Sequence, residues 1–217
     1  MARLILIDTI TAVVLAVIWY LYFASYNRRR GLQALVWVEA ACSGQGGILQ
    51  VKWLTPSCLE AKLRFSSHWF ENAKVTIQLF PRTNPFHWLY SLLRKEEEIL
   101  TFAADLDDIP GFHLEVVRHR WFTREHATMD EDSQDWSVFR PGPVVFSTRP
   151  QWNEELPPVV HTFMTSRGHS LVSVNYRPQS PHITATVPLS ALCDQESAAG
   201  FMRVLRDLAA GAGTLQQ

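Results

Sequence analysis

Residues 4–24 read LILIDTITAVVLAVIWYLYFA, twenty-one positions in which Asp8 is the sole charge. At about 1.5 Å of rise per residue, a helix of this length spans roughly 31 Å, which matches a hydrocarbon core of ~30 Å. Asp8 lies near one end of the run, where a carboxylate reaches water far more cheaply than at the midplane. At the other end Trp19, Tyr20, Tyr22 and Tyr26 form an aromatic belt that closes in Arg28-Arg29-Arg30, the arrangement expected where a helix leaves the lipid. Three arginines follow the run and Arg3 precedes it. The excess of positive charge on the C-terminal side places the remainder of the chain in the cytoplasm, with a short stub outside. A cleaved secretory signal is the competing reading, but this run ends in bulky aromatics and arginines, not in a small-residue cleavage site. The expectation is therefore a retained anchor, residues 1–30, followed by a soluble domain, residues 31–217.

Composition supports a folded domain behind that anchor. Of 217 residues, 47% are hydrophobic, enough for a core. The 20 basic and 21 acidic residues include Arg3, Arg28, Arg29, Arg30 and Asp8 within the first thirty, so 16 basic and 20 acidic residues remain beyond, a net charge of −4. Nucleic-acid affinity rests on neutralising phosphates, so a mildly acidic domain predicts no nucleic-acid partner. Cys42, Cys58 and Cys193 are few, odd in number and widely spaced, a pattern that fits a reducing compartment.

Working outward from the anchor, the sequence turns to alternation. Leu35-Val36-Trp37-Val38 reads as a short apolar strand and residues 43–47 (SGQGG) as a turn. Leu49, Val51 and Trp53, then Leu59, Ala61, Leu63 and Phe65, alternate with polar residues on either side of Thr55-Pro56-Ser57. A period of two with a turn between predicts an antiparallel hairpin with one buried and one wet face. Further strands are expected at residues 75–79, 99–106, 112–116 and 143–147, and a hairpin pairs residues 172–176 with 183–187. Asn84-Pro85 reads as an N-cap and first helical position, followed by Phe86, Leu89, Tyr90 and Leu93 at helical spacing. Trp88 and Leu92 make this helix apolar nearly all round. It is expected to lie either between the sheet and another element or at the bilayer interface. Helices are also expected over residues 152–167, interrupted at Pro157-Pro158, and from Asp194 to Gly211, with Ala198, Phe201, Met202, Leu205 and Leu208 on one stripe. The acidic loop at 129–135 is a possible subdivision. Separate runs of strands and helices predict an α+β fold with a mainly antiparallel sheet and two or three packed helices.

No stretch specifies a chemistry. The phosphate-cradling, dinucleotide, nucleophile-elbow and zinc-protease signatures are missing. His113 and Glu115 share one strand face and are the candidate metal ligands. However, His119 on the same face lies about 20 Å from His113 and about 13 Å from Glu115 at ~3.3 Å per residue, so solvated side chains are expected and no metal. The run 130–135 has Asp135 where a calcium loop needs glycine and Pro141 where it needs a bidentate glutamate, so it is no EF-hand. Arg118, Arg120, Trp121 and Arg124 mix cations with aromatics and form a candidate surface-binding patch for lipid headgroups, beside the plainer reading of a strand end with Trp121 packed underneath. The expectation is an anchored module whose cytoplasm-facing domain binds a protein partner or the inner membrane surface, with no cofactor expected. A tethered enzyme with an unmarked site and a structural subunit of a membrane complex are the alternatives.

Overall fold

The computed structural model describes residues 2–66, 69–107, 109–110, 112–118, 137–139, 144–148, 172–192 and 195–213. Its first element, α1, is an unbroken helix from Ala2 to Cys42. One window of α1 is long and apolar enough to cross a membrane, with a mean hydropathy of 2.3 and none of it buried against the rest of the chain. The helix does not stop at the arginines. Gly31, Ala34, Leu35, Val38 and Cys42 are buried, and their spacing of three and four residues is the stripe of a helix laid on a core. The strand expected at residues 35–38 is therefore a correction: those residues are helical. Four consecutive apolar residues suit a short strand and a buried helical turn equally, and only the wider window separates them.

The sheet begins after the turn at Ser43–Gln45. Strands β1 (Gly46–Thr55), β2 (Cys58–Phe65), β3 (Phe70–Gln78) and β4 (Ile99–Leu106) form a meander, with α2 (Pro85–Leu93) between the last two. Strands β5 (Leu114–Arg118), β6 (Ser137–Phe139), β7 (Val144–Thr148), β8 (Ser173–Tyr176) and β9 (Ile183–Pro188) follow, then α3 (Gln195–Gly213). Among the described residues nine strands join one antiparallel sheet in the order β1-β2-β3-β4-β9-β8-β5-β7-β6. The expected hairpins are present, with Val51 opposite Ala61 and Val174 opposite Ala185, but Leu49 and Val51, expected on the buried face, are exposed on β1. The fold is α+β, as the separate runs of strands and helices imply.

Period-two patterning decides which face is dry. Leu59, Ala61, Val75, Ile77, Leu100, Phe102, Ala185, Val187, Val174 and Tyr176 are buried in one cluster with Leu205 and Leu208 of α3 and with Ala34, Leu35, Val38 and Cys42 of α1. The second half of α1 is thus core, packed beside α3 over the sheet. At the far end of the cluster the Tyr176 hydroxyl donates to the Leu208 carbonyl at 3.1 Å, which satisfies a phenol that burial would otherwise penalise. The helix expected over residues 152–167, the loop at 129–135, Cys193 and Asp194 lie outside the described residues.

Candidate membrane-facing site

Where α1 leaves its exposed apolar stretch, it is gripped by the domain. The gripping stripe continues the buried one at helical spacing: Trp19, Phe23, Asn27 and Gly31 are each four residues apart, so all lie on one side of α1. Asn27 is fully buried. Its amide donates to the Phe80 carbonyl at 3.1 Å and its oxygen accepts from the Arg82 guanidinium at 3.1 Å. Arg82 also pairs with Glu98 at 2.7 Å, and Glu98 is approached by Arg30 at 3.6 Å. The guanidinium of Arg82 stacks over the rings of Tyr26 and Phe80, at 5.0 and 5.1 Å. Three segments are joined in this way: α1 through Asn27 and Arg30, the loop before α2 through Phe80 and Arg82, and the lead into β4 through Glu98. Every charge in the cluster has an opposite partner, the condition under which partly buried charges are tolerated.

One turn further toward the N-terminus the grip becomes apolar. The Trp19 indole donates to the Arg82 carbonyl at 3.0 Å, and Trp88 of α2 lies 6.0 Å from Trp19 and 5.8 Å from Phe23, ring centre to ring centre. On another flank of α1 the β1–β2 turn closes in. Tyr20, Leu21, Ala24, Ser25 and Arg28 face Trp53, Leu54, Thr55 and Pro56 across an open groove of about 480 Å³. Packing between the two is close higher up. A Cβ on Gly31 would meet the Trp53 ring at 2.7 Å, so glycine is what lets the strand approach the helix here.

Helix α2 is oriented with its apolar side outward. Its start is fixed by Asn84, whose side chain accepts from the backbone N–H groups of Phe86 and His87 at 3.1 and 3.2 Å, with Pro85 in the first turn. Ser91 is the buried residue, and Trp88 reaches α1. Phe86 is 84% and Leu93 75% exposed, and Leu89, Tyr90 and Leu92 are exposed with them. Placement between the sheet and another element, one of the two positions expected from the sequence, is not seen among the described residues. The guanidinium of Arg94, at the end of the helix, lies 4.5 Å from the Tyr90 ring.

The expected anchoring residues separate into two groups. Trp19, Tyr26 and Arg30 are engaged with the domain, whereas Tyr20, Tyr22, Arg28 and Arg29 are exposed. Arg118 ends β5, while its side chain and Arg120, Trp121 and Arg124 lie outside the described residues, as does His119. Of the candidate metal ligands, His113 is half-buried and its carbonyl accepts from Thr148 at 2.8 Å, and Glu115 is buried. Among the described residues no three His, Cys, Asp or Glu side chains stand close enough to hold a metal. The cluster around Asn27, Arg82 and Glu98 escaped the sequence reading, because its hydrogen-bonded pairs are 55 and 16 positions apart. The four-residue spacing of Trp19, Phe23, Asn27 and Gly31 was the signal that could have found it.

No family model matches this chain, and no curated protein matches it. Among solved structures, the crystal structure of the mycobacterial trehalose monomycolate transport factor A, TtfA, is similar to it at 10% identity. The match covers 85% of this chain and 94% of that one, with a TM-score of 0.46.

Proposed function

We propose that this protein is a single-pass membrane module. In this reading α1 is a retained anchor, and the α+β domain is held at a fixed attitude on the cytoplasmic face of the bilayer, where it binds the membrane surface and a protein partner. The observation that carries the reading is the continuity of α1. One helix without a break supplies both the exposed apolar stretch and the buried stripe from Asn27 to Cys42. An anchor on a flexible linker would tether a domain without orienting it. Here the polar cluster of Asn27, Arg82, Glu98 and Arg30 clamps the helix where the arginines begin. Cleavage behind the apolar run would also strip Trp19 and Phe23 from Trp88, so retention suits the packing of the domain. Arg28 and Arg29, both exposed beside the exit of the helix, support the cytoplasmic side.

Three measurements on the full chain test this. The protein stays in the membrane fraction through high salt and alkaline carbonate, and release by either washes the anchor reading away. A protease added to intact cells leaves the domain uncut, and cutting before permeabilisation would reverse the orientation. Purified in mild detergent, the chain brings a stoichiometric partner with it, and a clean monomer would count against the partner.

A further inference from the structure

The apolar stretch of α1 that is free of the domain is too short for the membrane it would cross. Leu4 to Ile18 are exposed throughout, and at Trp19 the helix meets the domain. Those fifteen residues rise about 22 Å, against a hydrocarbon core of ~30 Å, a shortfall of roughly 8 Å. The missing depth corresponds to the next turn and a half, Trp19 to Phe23, which is where Trp88 of α2 packs on α1. Residues that complete the span therefore carry α2 alongside them, and α2 shares their depth.

The surface of α2 is suited to that position. Successive residues turn by about 100° around a helix, so Phe86, Leu89, Tyr90 and Leu93 form one stripe about 100° wide. This stripe is the exposed one, and the side toward the domain holds the buried Ser91. The polarity is inverted relative to a helix on a water-facing surface, where the outward stripe is polar. Arg94 and Lys95 end the helix and can extend their stems upward to the headgroups, while Arg82 precedes it and is committed to Glu98. On the other flank of α1, Leu54 at the β1–β2 turn is 49% exposed beside Tyr20 and Leu21.

On the reading of α1 as a membrane span, we propose that α2 is an interfacial insertion helix. Its Phe86, Leu89, Tyr90 and Leu93 stripe enters the leaflet that α1 crosses, and the occupant of this face is the lipid bilayer. An interfacial helix lies about 5–10 Å into the headgroup and acyl boundary, which is the depth the short span leaves open. The chain then holds the membrane at two places joined by Trp88, and the domain is fixed in tilt and rotation as well as height.

Site-directed fluorescence on the full chain in phosphatidylcholine and phosphatidylglycerol vesicles tests this. In a Cys58→Ser/Cys193→Ser background, the buried Cys42 is left in place and single labels are set at Phe86→Cys, Leu93→Cys, Val14→Cys on α1, and Lys74→Cys on the wet face of β3. With the helix inserted, labels at Phe86 and Leu93 emit blue-shifted light and lose intensity to nitroxides placed high on the lipid chains. The label at Val14 loses intensity to nitroxides placed deep, and that at Lys74 to neither. Water-like emission at both Phe86 and Leu93, with Val14 quenched, overturns the insertion and leaves the anchor standing. If Val14 is unquenched as well, the anchor reading fails and this proposal falls with it. A second variant separates insertion from folding: Phe86→Asp/Leu93→Asp replaces exposed side chains, so the detergent-solubilised chain keeps its melting temperature. A label at Leu89→Cys in that variant loses its lipid quenching, and persistence of the quenching overturns the proposal.

Discussion

At the scale of single residues, Glu98 is the side chain on which the exit of α1 depends most. It is 10% exposed, accepts from Arg82 at 2.7 Å and from the Phe80 backbone at 3.4 Å, and faces Arg30 at 3.6 Å. Removing it strands Arg82, itself 15% exposed, and breaking such a pair costs more than the pair gains, roughly 2–4 kcal/mol after allowance for its residual exposure. Glu98→Ala is expected to lower the melting temperature by about 4–16 °C for a chain of this size. A Lys52→Ala control on exposed β1 moves it little, and a thermal scan of both in one detergent checks the difference. Cys42 gives a second prediction. Burial pushes its thiol up to about 11, from an ordinary value of 9.0, because the thiolate has no solvent there. The folded protein therefore resists alkylation at Cys42 at pH 8, whereas the denatured chain reacts, and intact mass after a timed quench reads the difference. The sign for stability follows: the unfolded thiol ionises first, so the contribution is intact below pH 9.0 and is lost as pH rises through about 11.

At the scale of elements, α1 behaves as two helices in one, and its phase couples them. Inserting one alanine between Phe23 and Ala24 rotates everything before it by about 100° and leaves Asn27 to Cys42 in place. Trp19 and Phe23 then turn away from Trp88. Ring pairs of this kind are worth about 0.5–1.5 kcal/mol each, so the insertion is expected to cost roughly 1–3 kcal/mol, while the chain stays in the membrane fraction. Equal melting temperatures for the insertion and the parent would refute the coupling. The elements also differ in how far the sequence disclosed them. The β1–β2 hairpin was legible because period two persists from Leu49 to Phe65, and α2 because Asn84-Pro85 marks its start. Residues 35–38 were misread because four apolar positions carry no period of their own. The three-residue β6 was missed because so short a strand exists only by pairing with β7. The apolar stripe of α2 was visible in the sequence, but which side it faced depended on Trp88 meeting α1, a tertiary fact with no local signature.

At the scale of the molecule, the proposed orientation across the membrane and the stability of the fold draw on the same three arginines, whose surroundings in the fold differ. Arg30 is turned into the domain, paired with Glu98 and 6.0 Å from the Trp37 ring. Arg28 and Arg29 are exposed, and among the described residues neither makes a hydrogen bond or ion pair that its loss would break. Exposed substitutions away from packed features stay within about 0.5 kcal/mol, so Arg28→Gln/Arg29→Gln is expected to leave the melting temperature unchanged. Its effect belongs to insertion: without those two charges the excess over Arg3 falls, and the rule that retains positive flanks in the cytoplasm loses its bias. A fraction of chains is then expected to insert with the domain on the opposite side, read as protease cleavage in intact cells. Arg30→Gln should do the reverse, lowering stability through Glu98 and shifting orientation less than the pair does. If Arg28→Gln/Arg29→Gln keeps the domain fully protected, orientation is set by the folded domain itself and not by the flanking charge.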